Sequence, residues 1–100
     1  MKFQIRILKQ AKKEFSKLTK EQQDAVTADY DIVKNKGIEF VKRRFLQDQL
    51  FEIKTNDIRS LFKYAEEKII VVSLIYEKRT QKAPNQLIKL AIKRLKEEGL

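Results

Sequence analysis

The sequence predicts an α+β domain in which helices pack on a small, mainly antiparallel sheet. Residues 69–76, IIVVSLIY, form an almost unbroken apolar run, which is typical of a strand buried on both faces. Two shorter strand-like segments precede this run, and amphipathic helical patterns lie on either side of the whole β region. The predicted order is therefore β-α-α, an irregular connection, β-β-β and a final α-helix.

The first residues are predicted to form one strand and one helix. Apolar side chains alternate with polar ones at the start of the chain, where the apolar residues are Phe3, Ile5 and Ile7. This period of two is typical of a half-buried strand. From Lys9 to Leu18 the spacing of the apolar residues becomes helical. The opening segment, MKFQIRILKQ, mixes charged and apolar residues, so we expect neither a signal peptide nor a membrane span, and a cytoplasmic protein.

A second helix is predicted to begin after Thr19. This residue is placed to cap the helix, and Gln22 stands three residues later at the capping-box position. Gly37 is a natural helix stop. The apolar stripe of the helix would consist of Val26, Tyr30 and Val33.

The middle of the chain is predicted to form two hairpins after an ambiguous segment. Residues 38–45, IEFVKRRF, fit either a short helix or an irregular connection. Leu50 to Lys54 and Ile58 to Tyr64 are predicted strands joined by a tight turn at residues 55–57. A second turn at residues 66–68 leads into the long apolar strand.

The last segment is predicted to be a helix that begins at Pro84, because proline is tolerated in the first turn. Its apolar residues share one face, at Leu87, Ile88, Ala91 and Leu95. The helix is also basic, as membrane-surface helices are, but packing on the sheet explains the apolar face more simply.

The length and charge of the chain limit the possible functions. One hundred residues with 42% apolar content are enough for one compact domain with a modest core, spanning residues 1–100. The net charge of +9 favours a polyanionic partner: RNA, DNA, an acidic protein or an anionic surface.

Two residue types are absent, and each absence excludes chemistry. Without cysteine there is no disulfide framework, thiolate nucleophile or typical zinc site. Without histidine the chain lacks the commonest general base and the commonest metal ligand. We therefore expect no metal and no cofactor, and any catalysis must use lysine, arginine, tyrosine or carboxylates.

Five cations are predicted to meet on one concave face. Lys54 and Arg59 lie on neighbouring strands of the first hairpin, and three others follow the strand expected to pair with that of Arg59: Lys78, Arg79 and Lys82. Such a group suits RNA cleavage by attack of the ribose 2′-OH on the adjacent phosphate. A lysine crowded by cations can act as the base, because like charges disfavour its protonated form, and arginine can hold two phosphate oxygens.

Other interpretations of these residues remain open. The cationic residues can be ordinary solvated surface, or the acids Glu52 and Glu77 can pair with neighbouring lysines and neutralise the patch. Arg43 and Arg44 beside Phe40 and Phe45 can form an RNA-contacting strip, or the two rings can belong to the core. Tyr64 and Tyr76 can be proton donors, base-stacking rings or core-edge residues.

The run YEKRTQKAPNQLIKLAIKRL resembles the C-terminal signature of the HigB toxins of bacterial type II toxin–antitoxin systems, a branch of the RelE/ParE superfamily. The matching positions are an aromatic residue, two cations, Thr-Gln-Lys, a proline and two helical residues, here Tyr76, Lys78, Arg79, Thr80, Gln81, Lys82, Pro84, Ala91 and Arg94. Upstream, LFEIK and IRSLFKY resemble the two strands of the family that carry its first basic residue and its arginine, here Lys54 and Arg59. The resemblance spans Leu50 to Glu98.

The resemblance implies a RelE-like microbial RNase fold, with two N-terminal helices packed on a small, curved, mainly antiparallel sheet and a C-terminal helix. It implies an mRNA endonuclease that acts at the ribosome and is held inactive by a cognate antitoxin. Arg59, Lys78 and Arg79 would stabilise the phosphorane, and Lys54 would be the base or a phosphate clamp. RNA contacts would come from Lys82, Arg43, Arg44 and Tyr76. The alternatives are a ParE-like gyrase-directed toxin and a nucleic-acid-binding module without catalysis.

Overall fold

The computed structural model describes residues 3–79 and 84–100, and within them it has three helices and five strands. In chain order these are β1 Gln4–Ile7, α1 Lys9–Ser16, α2 Lys20–Asn35, β2 Arg43–Gln47, β3 Leu50–Thr55, β4 Ile58–Glu66, β5 Ile69–Glu77 and α3 Asn85–Glu97. The predicted α+β class, with two N-terminal helices, a curved sheet and a C-terminal helix, is confirmed.

The strands form one sheet in the order β1-β5-β4-β3-β2. Strand β1 runs parallel to β5, and every other pair is antiparallel. The long apolar segment is therefore an interior strand, β5, while β4 occupies the middle of the sheet. Residues 70–75 of β5 are buried and contribute to cores on both faces, as their composition predicts.

The ambiguous segment contains both a helical turn and the start of a strand. Ile38–Phe40 is a single 3₁₀ turn, and β2 follows it as an edge strand paired with β3. Asp48 and Gln49, which join β2 to β3, have φ angles of 49° and 64°. Two successive positive φ angles match the twist of a two-residue hairpin, but the usual asparagine–glycine signal is absent, so the sequence does not reveal the turn.

The predicted start of α2 is confirmed by its cap. The N–H of Gln22 donates to the Thr19 hydroxyl at 3.1 Å, and the Thr19 N–H donates to the Gln22 side chain at 2.9 Å. This reciprocal capping box satisfies two donors that the first helical turn leaves without partners. Gly37 lies just beyond the end of α2, with a φ of 130° that favours glycine.

Side chains alternate across the sheet and build two cores. The α1–α2 face packs against α1 and α2 through the following buried residues: Ala11, Val26, Tyr30, Val33, Ile53, Ile58, Phe62, Ile70, Val72 and Ile75. The opposite side, here called the α3 face, packs against α3 through Leu50, Leu61, Val71, Leu74, Ile88, Ala91 and Leu95. The predicted apolar face of the last helix thus packs on the sheet. In the described ranges, no helix has the length and apolar content that crossing a membrane requires.

Two polar contacts fix the helices to the sheet. The buried Tyr30 hydroxyl donates to the Ser60 Oγ at 2.8 Å, and burial raises the pKa of Tyr30 well above its ordinary value. Arg94 of α3 donates to both carboxylate oxygens of Glu14 in α1, at 3.0 and 2.9 Å. Glu14 also accepts the Ile75 N–H at 3.0 Å. This second contact joins α1, β5 and α3, and its partners lie too far apart in the sequence to be predicted from spacing.

Candidate functional site

Three predicted site residues lie side by side across adjacent strands. Lys54 of β3 is the register partner of Arg59 of β4, and Arg59 is the register partner of Tyr76 of β5. The neighbours of Lys54 and Arg59 along their strands, Ile53 and Ile58, point to the α1–α2 face, so Lys54 and Arg59 point to the α3 face. The structure thus brings two of the predicted cations together.

A β-bulge brings Tyr76 to the same face. Opposite Leu61 and Phe62 of β4, strand β5 presents Leu74 and Val72, so Ser73 is the extra residue. The Ser73 hydroxyl turns toward α3 and donates to the Ala91 carbonyl at 2.7 Å. Without this extra residue, strict alternation from Val72 would place Tyr76 on the α1–α2 face.

The guanidinium of Arg59 is fixed at the turn between β3 and β4. Its Nη1 donates to the Asn56 carbonyl at 2.7 Å and to the Ile58 carbonyl at 3.2 Å. Asn56 has a φ of 54°, a conformation that asparagine tolerates in tight turns. Within the described residues the buried Nε of Arg59 has no hydrogen-bond partner. The turn therefore positions the arginine before any ligand binds.

A buried carboxylate lies next to this row. Glu52 is completely buried, and its register partner on β2 is Arg44. The Arg44 Nε lies 3.1 Å from the Glu52 Oε2, while 46% of the Arg44 side chain remains exposed. Neither Glu52 oxygen accepts a hydrogen bond within the described part of the chain, so the contact is ionic. A buried carboxylate needs a counter-charge, and Arg44 supplies it at the surface of the α3 face.

Tyr76 is electrostatically coupled to Glu52, Arg59 and Arg44. Burial, followed by the carboxylate of Glu52, raises the pKa of Tyr76, and these effects outweigh Arg59 and Arg44, which lower it. The phenol is therefore protonated near neutral pH. It is suited to donate a hydrogen bond or a proton, and it is not suited to act as a base.

The remaining predicted cations are placed differently. The Lys78 N–H donates to the Asp57 carbonyl at 2.7 Å, so Lys78 stays beside the β3–β4 turn. Arg79 is exposed, and its Nη2 lies 3.3 Å from the Oε1 of Glu77. Glu77 is the register partner of Ile58, which belongs to the α1–α2 face. The structure therefore does not hold Arg79 together with the Lys54–Arg59 pair, and the predicted Lys82 lies outside the described residues.

The other interpretations have mixed outcomes. Glu52 and Glu77 do pair with neighbouring cations, but both partners are arginines rather than lysines. Assigning Phe40 and Phe45 to the core is wrong, because they are 60% and 57% exposed. Their positions, in a 3₁₀ turn and on an edge strand, explain the exposure.

Arg43 and the tyrosines can also be placed. Arg43 is the register partner of Ile53, so it points to the α1–α2 face, away from Arg44. Tyr64 and Tyr76 are both half-buried at the margins of the two cores, which confirms that they are core-edge residues.

The arrangement is suited to binding a phosphodiester. A lysine amine, a fixed guanidinium and a neutral phenol line one face within two strand spacings, which is about 10 Å. The described residues contain no group of three acidic side chains that could hold a metal ion. The row itself offers two cations that can bind phosphate oxygens and one hydrogen-bond donor.

Comparison with solved structures places the fold among the RelE toxins. A double arginine-to-alanine mutant of Escherichia coli toxin RelE in the free state matches with a TM-score of 0.68 and 20% identity, covering 94% of this chain and 98% of that one. The toxin–antitoxin complex RelBE2 of Mycobacterium tuberculosis matches with a TM-score of 0.63 and 15% identity, covering 78% of this chain and 100% of that one. The archaeal RelE–RelB complex of Pyrococcus horikoshii matches with a TM-score of 0.61 and 19% identity, covering 82% of this chain and 100% of that one.

The sequence itself identifies the family. The profile of the phage-derived, Gp49-like proteins matches residues 13–96, which is most of the chain. The chain therefore belongs to the Gp49-like family of phage-derived proteins. A search of curated proteins found no match.

Proposed function

We propose that the chain is the toxin of a type II toxin–antitoxin system, of the HigB type, and that it cleaves mRNA on the ribosome. The observation that carries this proposal is the row of Lys54, Arg59 and Tyr76 on the α3 face. The RelE-like fold supports it, since two of the matching structures are toxin–antitoxin complexes. The HigB-like run from Tyr76 to Arg94 supports the subtype.

In the proposed reaction, Lys54 accepts the proton of the ribose 2′-OH. The 2′-oxygen then forms a bond to phosphorus, and the bond from phosphorus to the 5′-oxygen breaks. Arg59 stabilises the charge that develops on the phosphorane oxygens, because its guanidinium is held in place by the turn. The products are a 2′,3′-cyclic phosphate and a 5′-hydroxyl.

Tyr76 is the proposed proton donor to the leaving 5′-oxygen. An alkoxide is a stronger base than a phenolate, so transfer from the neutral phenol is favourable even though the pKa of Tyr76 is raised. The negative phenolate that forms would be stabilised by Arg59 and Arg44, the two cations that already lower its pKa.

The remaining cations are proposed to bind the RNA around the cleaved bond. Lys78, beside the β3–β4 turn, and Arg44, at the opposite end of the row, extend the positive face in two directions. Arg79, two residues beyond the end of β5, would hold the neighbouring backbone phosphates or ribosomal RNA together with Lys82. Their effect should be sensitive to salt, because phosphate contacts release bound counterions.

Induced expression in a bacterial host tests the function directly. Translation should stop, and mapping of transcript 5′ ends should show new ends inside translated codons. The Arg59→Ala variant should lose both effects, whereas Arg6→Ala should keep them. Arg6 is a suitable control because it is also an exposed arginine, but it lies on β1, three strands away from Lys54.

Two outcomes would contradict the proposal. Arrest with intact transcripts and inhibited gyrase would show a gyrase-directed toxin. RNA binding that weakens with salt, with no new transcript ends and no arrest, would show a binding module without catalysis.

A further inference from the structure

The edge strand β2 has one side that is not paired with another strand. It forms the last strand of the sheet, and its inner side pairs with β3. Its outer backbone groups meet no other strand among the described residues. Four of its five residues are exposed, so these groups are accessible to another chain. An edge of this kind is a template for one more strand.

Aromatic rings make this edge unusual. Phe45 is 57% exposed and meets the edge of Phe51, with 5.3 Å between the ring centroids. Phe51 in turn stacks on Phe62 at 5.6 Å, so Phe45 is the outer end of an aromatic row that begins in the core. Phe40, just before β2, is 60% exposed. Exposed rings do not protect an edge strand from association, and they are enriched where partners bind.

Charge selects the partner for this edge. Three consecutive cations, Lys42, Arg43 and Arg44, mark the start of β2. A second copy paired antiparallel about Phe45 would place Arg43 opposite Gln47 and Arg44 opposite Leu46, so within β2 it would offer these arginines no acidic partner. An acidic segment would instead be complementary. Within the described residues, neither Lys42 nor Arg43 has a carboxylate within ion-pair distance, so both are available to pair with an acidic partner.

We propose that the outer edge of β2 binds an extended, acidic segment of a partner protein as a sixth strand. The bound segment has acidic side chains beside Lys42 and Arg44 on the α3 face. On the α1–α2 face it has apolar side chains beside Phe45. Under the proposed function this partner is the antitoxin, so the assignment of the partner rests on that function. The binding surface itself does not.

This position also gives the partner a route to inhibition. Arg44 lies on the same face as Lys54 and Arg59, and the Lys54 N–H donates to the Lys42 carbonyl at 2.8 Å. The acidic side of an added strand would therefore lie next to the row of Lys54, Arg59 and Tyr76. It would compete with RNA phosphates for Arg44 without contacting the reacting bond.

Binding can be tested with a short synthetic peptide of alternating glutamate and valine with a central phenylalanine. Amide hydrogen exchange of the full chain should slow in β2 when the peptide is added, because new main-chain hydrogen bonds form there. A peptide with lysine in place of glutamate should give no protection. Absence of protection in β2 with the acidic peptide would overturn the proposal.

A matched pair of variants tests the surface. Phe45→Ser should weaken peptide binding by about tenfold or more, since loss of a buried aromatic contact typically costs at least 1.4 kcal/mol. Leu90→Ser, which changes another exposed apolar residue on α3, should bind normally. Equal weakening in both variants would contradict the proposal, as would protection of β2 by an RNA oligonucleotide and not by the peptide.

The exchange experiment needs no toxin activity, so it separates the two proposals. Protection of β2 in a chain that cleaves no RNA would leave the docking site in place and refute the nuclease. Cleavage activity in a chain whose β2 is never protected would refute the docking site and leave the nuclease in place.

Discussion

The two faces of the sheet differ in their side chains, although the same strands build both. The α1–α2 face is closed by two helices, and the buried hydroxyls of Tyr30 and Ser60 are paired with each other there. The α3 face is covered by one helix over part of its area. Beyond that helix it carries Lys54, Arg59 and the Arg44–Glu52 pair.

This difference shows how a small domain combines stability with a charged site. Period-two alternation places an apolar residue behind each charged one, as Ile53 is followed by Lys54 and Ile58 by Arg59. The core on one face therefore fixes the backbone from which the cations on the other face project. Substitutions on the two faces should have separable effects, and the following four test this in order of expected size.

Phe62→Ala should destabilise the protein most. The ring is fully buried on the α1–α2 face and stacks on Phe51, so its removal leaves a cavity. We expect a loss of about 3–5 kcal/mol in the free energy of unfolding, measured by urea denaturation. A loss below about 1 kcal/mol would contradict the account of a closed, well-packed face.

Tyr30→Phe should cost about 1–2 kcal/mol at neutral pH, because the buried Ser60 hydroxyl loses its partner. The cost should also depend on pH. Burial raises the pKa of Tyr30 in the folded state, so the neutral phenol contributes stability that is complete below the ordinary tyrosine pKa of about 10.

That contribution is lost as the pH rises toward the folded-state value. The stability difference between wild type and Tyr30→Phe should therefore shrink above about pH 10. Urea denaturation at several alkaline pH values measures it. A difference that stays constant or grows would show that Tyr30 does not resist ionisation in the folded protein.

Glu52→Gln should change the electrostatics of the α3 face and leave the opposite face intact. Removal of the carboxylate should lower the pKa of Tyr76, because the charge of Glu52 raises it. Titration of ring-labelled tyrosines by NMR measures this value, and Tyr64 in the same spectra is an internal control. An unchanged or higher pKa of Tyr76 would contradict the coupling of Glu52 to the row.

Lys54→Ala should have the smallest effect on stability, about 0.5 kcal/mol or less, because the amine is not part of either core. RNA cleavage should nevertheless fall steeply if Lys54 is the base. A large loss of stability would show that Lys54 supports the fold, and the two faces would then not be separable.

Much of the fold can be predicted from the sequence because the signals are local. The capping box at Thr19 and the alternation from Phe3 to Ile7 each depend on neighbouring residues only. The β3–β4 turn at Asn56 and Asp57 is equally local, and it sets the pairing of Lys54 with Arg59. The pairing of Lys54 with Arg59 can therefore be predicted from residue spacing alone.

The rest depends on contacts that spacing does not reveal. The bulge at Ser73 decides the face of Tyr76, but an uninterrupted apolar strand has no alternation from which a bulge can be seen. Strand β2 was missed because its turn lacks glycine and asparagine. Glu52 is buried on an interior strand beside Arg44 of β2, a strand that the sequence does not reveal.

Single-turnover cleavage of mRNA on programmed ribosomes is the most direct test of the central claim that the Lys54–Arg59–Tyr76 row cleaves RNA. Arg59→Ala should slow the reaction by about 10²–10³-fold, the usual cost of removing one group that stabilises transition-state charge, and Arg6→Ala should react at the wild-type rate. A wild-type rate in Arg59→Ala, with Arg6→Ala equally active, would contradict the claim.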